Sequence, residues 1–205
     1  MYTFVHPTKT GGTAVEEYFK KYHAKHIRGV GHMHTCTNSP KPLIVIRDPM
    51  ERFVSMFNYW RNGAVSGKYV RKKDWLPPCD TISEFVKRLQ ENDPKFVRKH
   101  LHKDFTTHLH FSEQSHWIKP GDYAKTVVVV YDRQRMDEKI RDLLRYLHLP
   151  EKGLPLPRVN VTKTSPLEAS EIGPKEEEWI RRRFKKDFEL WHMVNKHQSR
   201  FKKVF

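Results

Sequence analysis

Three short apolar runs, Tyr2–Val5, Leu43–Ile46 and Val127–Tyr131, stand out from an otherwise polar chain. Each has strand length and is too short for a buried helix. The valine-rich run has the composition of a strand buried on both faces of a parallel sheet. Apolar residues at helical spacing follow each of them. Val15, Tyr18 and Phe19 share one face of a helix predicted over Gly12–His23. Phe53, Val54, Met56, Phe57 and Trp60 do the same over 50–61, with Pro49 near the start, where proline is tolerated. A third helix is predicted over 136–148. Thr81 is a candidate cap for a helix over 82–91, with Glu84 three residues on. A last helix is expected from near Pro174 to about Asn195. Trp179, Phe184, Phe188 and Trp191 form its packing face, and Arg181, Arg182, Arg183, Lys185 and Lys186 its wet face. Residues 24–41, 62–79, 92–122 and 150–173 read as connections, the last with Pro150, Pro155, Pro157 and Pro166.

Strand–helix alternation with apolar strands argues for an α/β fold: a single domain over 1–205 with a central, mostly parallel β-sheet flanked by helices. The chain shows no internal repeat and no low-complexity linker. In such sheets ligands bind at the carboxyl ends of the strands.

Composition narrows the class. The 205 residues suffice for one real core. Hydrophobic residues at 37% and charged residues at 31% describe a soluble globular protein. No apolar run approaches the ~20 residues that span a bilayer. The first strand begins at once, so no targeting segment is expected ahead of the fold. Two cysteines, Cys36 and Cys79, are too few for a disulfide framework and suit a reducing compartment. A cytoplasmic, soluble protein is expected. Lys and Arg total 39 against 24 Asp and Glu, a formal charge of +15. That favours an anionic partner: nucleic acid, a charged glycan, an acidic protein or an anionic nucleotide. No helix-turn-helix, zinc-finger or RNA-recognition signature is present, and no nucleic acid is expected.

Two segments carry candidate chemistry directly after two of the strands. His6-Pro-Thr-Lys9-Thr10-Gly11-Gly12-Thr13 turns tightly into a helix. Such a turn aims backbone N–H groups, an ammonium and a helix N-terminus at one point, where a phosphate or sulfate fits. Lys9 precedes the glycines, so this is not the G-x-x-x-x-G-K-[ST] loop of nucleoside triphosphatases. Arg47-Asp48-Pro49, then Arg52 and Ser55, follow the second strand. Arginine offers a planar fork to phosphate. Two anion sites suggest a nucleotide with phosphates at both ends.

The pair resembles the sulfotransferases that use 3′-phosphoadenosine 5′-phosphosulfate (PAPS). The resemblance implies that Lys9, Thr10, Gly11, Gly12 and Thr13 hold the 5′-phosphosulfate in a P-loop-like sulfotransferase fold. It implies that Arg47 and Ser55 hold the 3′-phosphate. Gly31-His32-Met33-His34 is similar to a motif of heparan sulfate 2-O-sulfotransferases. There the second histidine is the base, which maps to His34, with His32 as its companion and alternative. The connection from this pair to Arg47 is shorter than in that family. Arg158 to Ser165 resembles a late loop that closes over the nucleotide, with Lys163, Thr164 and Ser165 as its contacts. His108-x-His110-x-x-x-Gln114 is similar to an acceptor-side element. Family loops often carry a basic residue three positions before the lysine; here it is His6.

The expected reaction moves a sulfuryl group from PAPS to a hydroxyl acceptor, a carbohydrate above all and an anionic glycan among the fits, leaving 3′-phosphoadenosine 5′-phosphate (PAP). Lys9 would offset charge on the leaving oxygen and a histidine near its ordinary pKa of ~6.5 would take the proton. No metal is required by this scheme. Alternatives stay open. His32, His34 and Cys36 offer donors of the type that bind metal, or a structural role. The protein could bind a nucleotide or polyanion without chemistry, or be the luminal catalytic part of a Golgi enzyme. Asn160-Val161-Thr162 is a formal glycosylation acceptor, and Lys68, Arg71, Lys72 and Lys73 form a basic run. Neither is assigned a site role.

Overall fold

The apolar runs build the centre of a five-stranded sheet. A computed structural model describes residues 1–32, 34–61, 79–92, 112–159 and 168–205, without the side chains of 60, 61 and 92. Strand β1 is Tyr2–Val5, β2 is Ile27–Gly29, β3 is Pro42–Ile46, β4 is Val127–Val130 and β5 is Lys203–Val204. Their order is β2-β1-β3-β4-β5 and every pairing is parallel. Register places Phe4 beside Leu43, and Leu43 beside Val127. All five residues of β3 are buried, as are Val127, Val128 and Val129 of β4. Burial on both faces is why these strands carry no polar alternation.

Two helices cover one face. Helix α1, Gly12–Tyr22, buries Val15, Tyr18 and Phe19. Helix α4, Met136–Tyr146, buries Met136, Ile140, Leu143 and Leu144. These side chains meet Phe4, Ile27, Leu43, Val45, Val127 and Val129 in one cluster. The alternating residues Val5, Ile44, Ile46 and Val128 point to the opposite face and are also buried.

The chain divides into two units. The sheet unit comprises 1–48, 113–159 and 186–205; the other comprises 49–112 and 160–185. The second unit holds α2 (Pro49–Arg61), α3 (Ile82–Asn92) and α5 (Pro174–Arg183). Its core is aromatic. Phe53 lies 5.7 Å from Phe85, 6.3 Å from Trp179 and 6.1 Å from Phe184, centroid to centroid. Thr81 caps α3 as its sequence predicts: the Glu84 N–H donates to Thr81 Oγ1 at 3.1 Å.

The fold is α/β with an all-parallel sheet, as the alternation predicts. Two strands and one helix break depart from the sequence reading. Strand β2 lies inside the predicted 24–41 connection, and β5 beyond the last predicted helix. Each offers little apolar pattern, and pairing with a neighbour defines it. The single terminal helix is two, α5 and α6 (Lys185–Lys196), separated at Phe184 with φ −111° and ψ 32°. The break resets the helical phase. Trp179, Ile180 and Phe184 are buried, but beyond them the buried positions are Asp187, Leu190 and Val194, while Phe188 and Trp191 are half-exposed.

Candidate active site

At the carboxyl end of β1 the chain turns through His6–Gly11 into α1. Thr8 and Thr10 are buried within the turn, and the Thr10 hydroxyl donates to the Pro7 carbonyl at 2.8 Å. Lys9 sits at φ 65°, a left-handed conformation that a residue with a Cβ adopts only at a cost. Gly11, at φ 75°, occupies the N-cap of α1. Among the described residues no side chain caps this N-terminus, and its first turn has no acidic residue. The leading N–H groups and the helix dipole are thus directed at the space in front of the turn, suited to an anion. Gly12 has a separate reason to be glycine: an added Cβ would lie 2.3 Å from the His6 ring.

Arg47 follows β3, the neighbour of β1. Its backbone is fastened on both sides by one buried residue. The Arg47 N–H donates to Gln114 Oε1 and the Gln114 amide donates to the Arg47 carbonyl, each at 2.8 Å. Gln114 is thus a clamp on Arg47, spending both ends of its amide there. Truncating it, Gln114→Ala, strands two backbone groups. We expect a loss of ~1–3 kcal/mol in urea unfolding, together with weaker anion binding at Arg47.

Tyr131 joins the two segments. It directly follows β4, and its N–H donates to the Ile46 carbonyl at 2.7 Å. Its ring covers Gly11 so closely that an added Cβ there would lie 2.3 Å from Cε2. The Arg47 guanidinium stacks on the same ring, 4.6 Å from its centroid. One tyrosine therefore sets the glycine turn and the arginine at fixed separation.

The histidine segment lies against the same turn. His32 Nδ1–H donates to the His6 carbonyl at 2.8 Å, and the two rings meet edge to face at 4.4 Å. A carbonyl only accepts, so Nδ1 carries the proton and Nε2 keeps its lone pair. Burial first, then the neighbouring His6, lowers the His32 pKa to about 4. The imidazole is neutral above that pH, with Nε2 as an acceptor, and burial makes it a weaker base than an ordinary histidine. Trp117, fully buried, donates its indole N–H to the His32 carbonyl at 3.0 Å. His6 Nε2–H donates to Glu16 Oε2 at 3.0 Å, and Glu16 Oε1 accepts the Gly31 N–H at 2.9 Å. The hydrogen bond from His6 holds the Glu16 carboxyl below the usual carboxylate range.

Of the residues singled out in the sequence, Lys9, Thr10, Gly11, Gly12, Thr13, His32 and Arg47 come together in the sheet unit. His34 belongs to the same unit and is exposed. Ser55 is half-buried on α2, in the other unit, with Arg52 three residues before it. Arg52 is buried and donates to the Ser112 carbonyl at 2.8 Å. Lys163, Thr164 and Ser165 lie outside the described residues, as do His108, His110, the 160–162 acceptor sequence and the basic run at 68–73. Among the described residues no group of three or more His, Cys, Asp or Glu is arranged to hold a metal ion. Cys36 is buried, which pushes its thiol pKa up to about 12. Sequence reasoning missed Tyr131, the role of Gln114, and Glu16. Tyr131 alone had a signal, its place at a strand's carboxyl end.

The model of the sulfotransferase family matches residues 5–193. No curated protein matches the chain. The match begins at the last residue of β1 and runs through the glycine turn, the histidine segment, Arg47 and Tyr131. The chain belongs to the sulfotransferase family.

Proposed function

We propose that this protein transfers the sulfuryl group of PAPS to a hydroxyl of a carbohydrate acceptor, with one sulfotransferase domain spanning the chain. The observation that carries the reading is the sharing of Tyr131 by Gly11 and Arg47, which ties two cationic anion-binding segments together. A donor with phosphate groups at both ends of an adenosine fits that arrangement. Thr10–Thr13 N–H groups and Lys9 receive the 5′-phosphosulfate; Arg47 receives the 3′-phosphate, with Ser55 and the loop at Lys163, Thr164 and Ser165 as further contacts.

The acceptor oxygen forms a bond to sulfur as the bond from sulfur to the bridging phosphate oxygen breaks. Its proton goes to a histidine, and PAP departs carrying the charge that Lys9 offsets. His32 and His34 are the candidates for the base. The neutral His32, with its proton fixed on Nδ1, is better prepared for the task than an exposed side chain. The negative donor raises its proton affinity again on binding. The +15 charge and the His32–Met33–His34 pattern support an anionic glycan as acceptor. Two buried thiols, Cys36 and Cys79, support a reducing, cytoplasmic setting. No helix among the described residues is long and apolar enough to cross a membrane.

The test is a thermal-shift comparison of PAP, ATP and NAD, followed by transfer of labelled sulfate to hydroxylated glycans. PAP at a hundredfold excess over its Kd should raise Tm by ~5–10 °C, with little effect of the others. Equal shifts for ATP and PAP would overturn the donor. PAP binding without turnover on any hydroxyl acceptor would leave a nucleotide-binding protein without chemistry.

A further inference from the structure

Glu16 sits on the first turns of α1, but its carboxylate reaches away from the helix to both segments beside it. One oxygen takes the His6 ring N–H at 3.0 Å, within the donor turn. The other takes the Gly31 N–H at 2.9 Å, one residue before His32. The side chain also fills the space above Gly29, where a Cβ would lie 2.5 Å from Oε1. His6 closes the circuit, since its carbonyl receives His32 Nδ1–H. Three pieces of chain, α1, the 6–13 turn and 29–32, are thus held together through one carboxylate. A helix on the sheet surface has no need of such a group for packing: the apolar face of α1 is Val15, Tyr18 and Phe19.

We propose that Glu16 is a positioning residue for sulfuryl transfer, locking the segment that carries His32 to the PAPS-binding turn so that the imidazole keeps its Nδ1–H tautomer and presents Nε2 to the acceptor. This rests on the reading of His32 as the base and of the turn as the donor site. Misplacing a reacting group by about 1 Å costs up to ~10²-fold in rate, so the arrangement is worth an ionised side chain. Among the described residues, the charged and titratable groups that act on His32 are His6 and Lys9 from the turn and Glu16 from α1. Glu16 favours the imidazolium, while His6 and Lys9 oppose it. The carboxylate therefore tempers the depression of the His32 pKa.

The test compares the full-length wild type with Glu16→Ala and Glu16→Gln. Nitrogen-15 NMR of the histidine rings, with the His32 signal assigned by its loss in His32→Gln, reports the tautomer without any need for turnover. Labelled-sulfate kinetics report kcat and donor KM separately. In Glu16→Ala the Nδ1–H signature of His32 is expected to mix with the other tautomer, with kcat down ~10–100-fold and donor KM within threefold. Glu16→Gln keeps one oxygen and should recover most of kcat. Its acid limb in kcat/KM should move to lower pH, because the charge that favours the imidazolium is gone. A wild-type tautomer and kcat in Glu16→Ala would overturn the proposal. So would a loss confined to donor KM. Should Glu16→Ala not fold, Glu16→Gln decides by the tautomer and the acid limb. If the wild type transfers no sulfate, the functional reading fails, and the NMR arm still decides whether Glu16 positions His32.

Discussion

Replacing Lys9 by alanine should lower kcat for sulfate transfer by ~10²–10³-fold, the cost of removing one preorganised electrostatic donor, ~2–4 kcal/mol of barrier. Two features make the effect large. Lys9 holds a left-handed backbone at φ 65°, a strain of the kind retained where it serves a site. It also lies close enough to His32 for its charge to oppose protonation there. In the proposed reaction an ammonium at this point would act on charge that develops as PAP leaves, so the loss should fall on kcat more than on PAP affinity. Lys9→Arg keeps the charge but not the compact geometry and should recover only part of the rate. Single-turnover transfer of labelled sulfate measures the chemical step. Near-normal turnover in Lys9→Ala would remove it from the reaction.

The second large effect is expected at Gly11. A Cβ in the left-handed region costs ~1–2 kcal/mol. Here it would also sit 2.3 Å from Tyr131 Cε2 and 2.6 Å from Cδ2. The ring is not a loose chain end, for the Tyr131 backbone is bonded to Ile46 and Arg47 stacks on its face. Relieving the clash therefore displaces Arg47 as well as the turn. For Gly11→Ala we expect PAP to bind ~30- to 1000-fold more weakly, equivalent to ~2–4 kcal/mol, by titration calorimetry. The double variant Gly11→Ala/Tyr131→Ala removes the clash and leaves the backbone strain. Its loss should be smaller than the sum of the two single losses. Additive losses would show that the ring does not couple the turn to Arg47.

What could be read from the chain in advance follows a physical dividing line. Strands β1, β3 and β4 were legible because burial on both faces writes a continuous apolar run into the sequence. Strand β2 offers only Ile27 to the core before Arg28 and Gly29, and β5 is Lys203 and Val204. Their structure comes from the neighbouring backbone, which no local pattern records. The break at Phe184 was hidden because both flanking segments are strong helix formers with apolar residues at plausible spacing. The candidate site divides in the same way. The turn at Lys9–Thr13 and the arginine at 47 each follow a strand within a few residues, and their chemistry is local. Gln114 acts on a residue 67 positions away, and the Glu16 contact to Gly31 depends on how β2 leaves the sheet. Such roles exist only once the chain has folded.

The sheet order has a consequence for biosynthesis. Strands β2, β1 and β3, helix α1 and the glycine turn all lie between Tyr2 and Ile46, so this part of the sheet can pair before the rest of it is made. Its next neighbour, Val127, stands beside Leu43. At ~5–20 residues per second, that partner is made on the order of ten seconds later. Until then β3, apolar along its full length, has an open edge. Nascent chains of this protein should therefore be most prone to aggregate, and most in need of a chaperone, between the synthesis of Ile46 and that of Val130.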